Sequence, residues 1–356
     1  MLQEFLEKQN INPQKIAVGV SGGADSLATV LIAHEELSSL GYQIIALTVD
    51  HKLRKTSSDE AAYVADLMNK NGIEHHTLVW KGKKPHTGIE EAARIARYNL
   101  IEDWCQKNKI SYLITAHHLY DQAETFLMRL ERGSGLDGLC GMKQCSTLRS
   151  LVILRPFLKI SPLYFKSYLT KRKIKWIEDE SNKDKNLLRV RMRRFLPIME
   201  EKTGITPLQI ANTMDRLQSS RLYFENKVQS LIKNNFRSFN KQAFCCSLSF
   251  FIHLEGELQY RLSAYLLKTI ANVPYSPEAD KILKLLNKIQ QENFKSATLC
   301  HCQILSQHGF LWFMPEKIEN PFFTNKIWKD FVCKNKNYKN IKLPAALKRL
   351  LTLSEI

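Results

Sequence analysis

Apolar positions along the first half of the chain follow two alternating periods. Ile16-Ala17-Val18-Gly19-Val20 is a short continuous apolar run, and Gln43–Val49 and Ile110–Ala116 are runs of the same kind. Their length and β-branched content predict buried strands, the first spanning Lys15–Val20. Glu74–Trp80 and Leu151–Phe157 read as a third and a fifth strand. Between these runs the apolar residues recur at helical spacing: Leu27 to about Leu40, Ser57–Asn71 with Ser57 or Ser58 as N-cap, Gly88–Lys109, and Asp121 to about Leu130. In Gly88–Lys109, Ala92, Ile95, Ala96, Leu100 and Trp104 share one side. Strands alternating with helices predict a parallel, doubly wound sheet, whose ligands bind beyond the carboxyl ends of the strands.

The texture changes after about Lys202. Thr206–Lys233 predicts one long helix, with Ile210, Met214, Leu217, Leu222 and Val228 apolar. From about Ser296 the pattern is strand-like, in Thr298–Leu305 and Gly309–Met314, joined near Gln307-His308-Gly309. The expected organisation is therefore an α/β domain over 1–203, a mainly helical domain over 204–295, and a small α+β part with strands over 296–356. No internal repeat or low-complexity tract is present.

Composition adds a partner to this picture. The 356 residues carry a net charge of +17, with 44% hydrophobic and 24% charged residues, which suits a soluble globular chain with a polyanionic partner. No apolar run reaches membrane-spanning length. The start, Met1-Leu2-Gln3-Glu4-Phe5-Leu6-Glu7-Lys8, is amphipathic with early acids, unlike a signal peptide, so a cytoplasmic location is expected. The eight cysteines, Cys105, Cys140, Cys145, Cys245, Cys246, Cys300, Cys302 and Cys333, contain no C-x-x-C pair. Their scatter fits a reducing compartment, and Cys300 and Cys302, read as alternate residues of one strand, are expected to pack in a core rather than bind metal.

The chemistry concentrates at three strand ends. Ser21-Gly22-Gly23-Ala24-Asp25-Ser26 follows the first strand and opens a helix. A glycine-rich turn with free backbone N–H groups at a helix N-terminus binds phosphate, and Ser21 and Ser26 add hydroxyls. Asp25 would repel phosphate unless a Mg²⁺ bridged the two, so a nucleotide with Mg²⁺ is the expected ligand pair and Asp25 the metal-ligand candidate. The Gly-Lys-Ser/Thr of the Walker motif is absent. Asp50 and His51 leave the second strand, where Asp50 either orders a loop or accepts from a nucleotide. Asp121 and Glu124 follow the fourth strand at i, i+3 and converge on one helical face, suited to Mg²⁺ or a substrate ammonium. Adjacent His117 and His118 diverge and make poor joint ligands. Arg94, Arg97 and Tyr98 share a helical face, with Glu90 placed to pair with Arg94. Arg132-Gly133-Ser134-Gly135 opens a glycine-dense loop, and Lys171–Lys175 and Lys183–Arg194 are basic segments flanking Trp176.

Taken in order, these pieces resemble the tRNA(Ile)-lysidine synthetase family of PP-loop N-type ATP pyrophosphatases. The resemblance runs from about Lys15 to Leu196. It covers Ser21–Ser26, Val49-Asp50-His51-Lys52-Leu53-Arg54, Ala93-Arg94-Ile95-Ala96-Arg97-Tyr98, His117 to Thr125, Arg132 to Leu139, Arg155-Pro156-Phe157-Leu158 and Asp179-Glu180-Ser181-Asn182. Tyr120 departs from a frequent Asp, and Val190, in Arg189-Val190-Arg191-Met192-Arg193, from a frequent Asn.

The resemblance implies an adenine nucleotide α-hydrolase-like fold and a ligase that joins free L-lysine to the wobble cytidine of an isoleucine tRNA with anticodon CAU. ATP would yield AMP and diphosphate through an adenylated cytidine. It implies nucleotide binding by Ser21–Ser26, Asp50 and His51, and catalytic roles for Asp25, Asp121, Glu124, Arg94 and Arg97, with the acidic pair on the lysine. Arg94 and Arg97 are alternatives for phosphate or the substrate carboxylate. Arg132, Gly133, Ser134, Gly135, Arg189, Arg191 and Arg193 fall to substrate binding, the basic segments and the basic C-terminal part to the tRNA backbone. The runner-up is another PP-loop tRNA modifier, a cytidine thiolase, whose usual C-x-x-C cysteines are missing. The oligomeric state stays open, a homodimer being one option.

Overall fold

The carboxyl end of a central strand organises the molecule. In the computed structural model, described over residues 1–316 apart from 55, 83, 86, 179–186, 240–241 and 274, β1 (Lys15–Gly19) lies between β2 (Gln43–Asp50) and β4 (Tyr112–Ile114). β3 (Glu74–Val79) pairs with β2, β6 (Leu151–Leu154) with β4, and β5 (Cys145–Leu148) with β6. The order is β3-β2-β1-β4-β6-β5. Every pairing is parallel except β5 with β6. The chain moves from β1 outward to β3, then returns to the other side of β1, which makes the β1/β4 junction the topological switch point.

Burial explains the order. Ile16, Ala17 and Val18 are each 0% exposed, as a strand covered on both faces requires. One face packs α1 (Leu2–Lys8), α2 (Ala24–Leu37), α3 (Ser57–Lys70) and α7 (Pro162–Lys171), through Leu2, Leu6, Leu27, Val30, Val64, Met68, Phe165 and Leu169. α4 (Ile89–Lys107) covers the other, with Ile101 and Cys105 against Ala17, Ile45, Leu47, Leu113 and Ile153. α5 (Leu119–Glu131) and the short α6 (Leu136–Leu139) follow β4. After α7 come α8 (Leu188–Thr203) and α9 (Pro207–Asn235). Ala123 of α5, Leu196 and Met199 of α8, and Ile210 and Met214 of α9 form a separate apolar cluster. The doubly wound sheet expected from the sequence is present.

The chain divides into two units, Met1–Ser219 and Ser220–Ile356, and α9 runs from the first into the second. In the second, β7 (Arg237–Phe239), β8 (Ala243–Ser247), β9 (Ser296–Leu299), β10 (Cys302–Gln307) and β11 (Phe310–Pro315) form an antiparallel sheet of order β7-β8-β11-β10-β9. α10 (Leu248–Ile252), α11 (Gly256–Ala271) and α12 (Ala279–Ile289) accompany it; Leu262, Leu266, Ile282 and Leu286 pack with Phe244, Ile304 and Phe313.

Several local expectations are corrected. Thr298–Leu305 is not one strand but the two arms of a hairpin, because Cys300 and His301 adopt φ of 55° and 56° and turn the chain. Cys302 is fully buried, whereas Cys300 sits in the turn, half-buried. The fifth predicted strand stops at Leu154, and α2 ends at Leu37 with a tighter turn over Ser38–Leu40. α3 takes Thr56, not Ser57 or Ser58, as its N-cap residue. β5, β7, β8 and α8 were not anticipated; the motif Asp179–Asn182 lies outside the described residues. Among the described residues no helix is long and apolar enough to cross a membrane.

Candidate active site at the first and fourth strand ends

The loop after β1 is closed by its own serine. Ser26 Oγ accepts the Ser21 N–H at 3.0 Å and donates to the Gly23 carbonyl at 3.0 Å, with Ser21 Oγ 3.2 Å away. Gly22 has φ of 85°, and a Cβ there would lie 2.7 Å from Ile177 Cδ1. Ile177 N–H in turn donates to the Gly22 carbonyl at 2.9 Å. Glycine is therefore required at 22 both for backbone conformation and for space. Gly23 caps α2, Ala24 is buried, and Asp25 stands in the first turn of α2, where the helix dipole favours its charge.

Asp25 Oδ2 lies 3.5 Å from His118 Nε2, while Oδ1 is buried without a hydrogen-bond partner. A buried carboxylate oxygen short of a donor fits a bound cation. Among the described residues no three His, Cys, Asp or Glu side chains are placed to hold a metal ion together. The donor set therefore fits Mg²⁺ held by one carboxylate and by nucleotide phosphates, and does not fit a site built wholly from protein ligands.

Across the switch point, α5 begins with a reciprocal cap. His118 Nδ1 accepts the Asp121 N–H at 3.3 Å, and Asp121 Oδ2 accepts the His118 N–H at 2.9 Å. Asp121 Oδ1 accepts from Arg189 Nη2 at 2.5 Å. Glu124, fully buried, accepts from Arg189 Nε at 2.7 Å and from Arg193 Nε at 2.6 Å and Nη2 at 3.3 Å. The two carboxylates thus converge on one face of α5, and both are already paired with arginines of α8. Burial pushes the Asp121 carboxyl up, but His118, Arg189 and His117 together hold it below its ordinary value. Burial pushes His118 down, and the Asp25 contact with the charges of Asp121 and Asp25 holds it above the usual imidazole value. His117, bonded through Nδ1 to Thr115 Oγ1 at 2.8 Å, is pushed to about 4 by burial, with Arg155, Arg189 and Arg94 adding to the effect and Asp121 opposing it.

The remaining candidates are held by local contacts. Asp50 is buried and orders its own loop: Oδ1 accepts the Lys52 N–H at 2.9 Å, and Oδ2 lies 3.1 Å from Lys52 Nζ. His51 meets the Trp80 ring edge-on, and burial with the charges of Arg97 and Lys84 pushes it to about 4. Arg94 lies over the Tyr98 ring, 5.3 Å from its centroid. Ser134, in the Arg132–Gly135 loop, donates its N–H to the Arg129 carbonyl at 3.0 Å. Arg191 is exposed, and Val190, at the position of the frequent Asn, is buried at 6% exposure. Tyr120, at the other departure, packs on the Ala123–Leu196–Met214 cluster.

Two residues escaped the sequence reading as site members. His118 enters the sequence reading as a poor joint metal ligand and as part of the motif His117 to Thr125, without a role of its own; the available signal is its place three residues before Asp121 at a helix start. Arg155, 7% exposed, donates to the Lys143 carbonyl at 3.0 Å and to Ser146 Oγ at 2.9 Å, tying the end of β6 to β5 and the segment before it. A lone arginine closing a buried strand was the available cue.

A serine-glycine loop after β1 and candidate side chains at the switch point of a doubly wound sheet have the arrangement of a PP-loop α/β protein, and a model of the PP-loop domain matches residues 1–199. The chain is 33% identical over 314 residues to the tRNA(Ile)-lysidine synthase of a Wolbachia from Brugia malayi, covering 85% of this chain and 71% of that one. It is 38% identical over 212 residues to the tRNA(Ile)-lysidine synthase of a Bradyrhizobium strain, covering 59% of each. The chain belongs to the tRNA(Ile)-lysidine synthase family of ATP-using PP-loop enzymes. In fold it is also similar to a U34-tRNA thiolase from Methanococcus maripaludis that carries a 4Fe–4S cluster, with TM-score 0.51 and 19% identity over 58% of this chain and 72% of that one.

Proposed function

We propose that the protein ligates free L-lysine to C2 of the wobble cytidine of an isoleucine tRNA with anticodon CAU, consuming ATP and releasing AMP and diphosphate. The observation that carries this reading is the placement of two chemistries on adjacent strand ends. A phosphate loop follows β1, and a carboxylate pair follows β4. Activation and amine attack need such neighbours. The net charge of +17 supports an RNA substrate, as do the names of the relatives.

In the first step cytidine O2 attacks the α-phosphorus of ATP, and diphosphate leaves. The backbone amides of Gly22–Ser26 stabilise the phosphate charge that develops. Mg²⁺, when bound near Asp25, would neutralise phosphate oxygens. In the second step the ε-amine attacks C2 of the adenylated base, the C2–O2 bond breaks, and AMP carries O2 away. The amine must first lose its ammonium proton, which passes to water. Asp121, buried and kept ionised by its cationic neighbours, attracts and orients the ammonium; its lowered proton affinity suits that role better than proton removal. Binding there requires the ammonium to exchange with Arg189, which holds Asp121 Oδ1. The cytidine must leave the anticodon stack to reach both groups. Residues 204–295 and 296–356, with the basic segments, are assigned to holding the tRNA.

Radiolabelled lysine, ATP and unmodified tRNA bearing CAU test this directly. Label in tRNA with lysine-dependent AMP release is expected; no label under conditions of demonstrated tRNA binding rejects the reading. Asp121→Asn should raise the KM for lysine, and unchanged transfer would remove Asp121 from amine handling.

A further inference from the structure

We infer that His118 is a positioning residue that fixes the phosphate loop in register with the amine-binding helix, an inference that rests on the reaction proposed above. Its side chain is 8% exposed and has polar contacts on both sides, Nδ1 also lying 3.5 Å from Asp121 Oδ2. On one side Nδ1 accepts the Asp121 N–H at 3.3 Å, so in the neutral ring the proton belongs on Nε2. On the other side Nε2 faces Asp25 Oδ2 at 3.5 Å. The ring N–H therefore points from the start of α5 into the first turn of α2. The Phe165 ring lies beside it, with the centroids 6.3 Å apart.

Helix capping alone does not call for histidine. Ser, Asp or Asn would satisfy the Asp121 N–H at least as well, but their short side chains end at the cap. The imidazole spans from the cap to Asp25. It draws Asp25 Oδ2 toward α5 and leaves Oδ1, buried and unpartnered, for the nucleotide side. Through the same ring and its own backbone N–H, it fixes Asp121. One side chain thereby sets the distance between the two half-sites, which a two-step reaction on one base requires to stay constant.

His118→Asn separates the two roles, because Asn keeps the cap and gives up the reach to Asp25. Wild type, His118→Asn, His118→Ala, Asp25→Asn and the His118→Asn/Asp25→Asn double variant are compared. The readouts are melting temperature, tRNA-dependent diphosphate release, and the KM for lysine. His118→Asn should keep the wild-type melting temperature and the KM for lysine while slowing diphosphate release roughly 10- to 100-fold. His118→Ala should lose stability as well. Unchanged diphosphate release in His118→Asn overturns the inference. If His118→Asn melts early, the cycle decides: a shared link makes the double variant no slower than the slower single one, whereas multiplicative losses overturn it. Wild-type diphosphate release without lysine transfer would instead reject the proposed reaction and leave the positioning result readable.

Discussion

Glu124→Gln is the most quantitative test of the site's architecture. The Glu124 side chain is 0% exposed and receives three guanidinium hydrogen bonds, from Arg189 Nε and from Arg193 Nε and Nη2. A glutamine keeps one carbonyl acceptor and turns an amide donor toward the second guanidinium. Each charge-assisted bond is worth about 1.5–3 kcal/mol when its partner is removed. The arginine side chains are 43% and 41% exposed, so water recovers a large part of that, and the net loss is about 2–3 kcal/mol. For a unit of this size each kcal/mol lowers the melting temperature by roughly 2–4 °C. Thermal unfolding followed by circular dichroism should therefore show a fall of about 5–10 °C. Arg191→Gln, at an exposed neighbouring position of α8, should stay within about 0.5 kcal/mol of wild type. A Glu124→Gln variant melting with the wild type would mean that the arginine pair does not lock α8 onto α5.

Gly22→Ala should cost about 1–3 kcal/mol from backbone strain and abolish nucleotide-dependent stabilisation, because its Cβ meets Ile177 Cδ1 at 2.7 Å; a variant whose melting temperature still rises with ATP would refute the loop geometry. His51, held near 4 against an ordinary 6.5, takes up its proton in the unfolded state first as pH falls. Its contribution therefore lowers stability between about pH 6.5 and pH 4. His51→Gln should keep more of its pH 7 urea midpoint at pH 5 than the wild type does, and parallel profiles would contradict the assignment. Burial raises the thiols of Cys105, Cys245 and Cys302 to about 12. A thiol reagent at pH 8 should spare all three until denaturant is added, and native labelling of Cys302 would contradict the β10 core position.

Fold was most legible where periodicity and burial agree. β1 and α2 were readable because a strand buried on both faces is continuously apolar and its helix follows a diagnostic turn. β5 was not, since Cys145-Ser146-Thr147-Leu148 is short and half-exposed and pairs antiparallel at the sheet edge. The Thr298–Leu305 error has a similar cause. Cys300 and His301 occupy left-handed positions that glycine or asparagine normally marks, so nothing in the residue types announced a turn. The turn at His308-Gly309 carried its glycine and was anticipated.

The site was legible for loops and carboxylates but not for their partners. Ser21–Ser26 is read from local spacing alone, and Asp121 with Glu124 from helical geometry. Arg189 and Arg193 are different, because their sequence neighbourhood is a run of like charges, which reads as a surface for RNA phosphates. In the structure two of these arginines, four residues apart on α8, face α5 and neutralise its carboxylates, while Arg191, between them in sequence, is exposed. A charge run on a helix thus divides by period, one face structural and the next free for a polyanion. The division can be measured. Arg191→Gln should weaken tRNA binding and flatten its dependence on salt with little change in melting temperature, whereas Arg193→Gln should lower the melting temperature first. Equal effects of the two on the salt slope would place both arginines on the RNA surface and empty the clamp of its structural role.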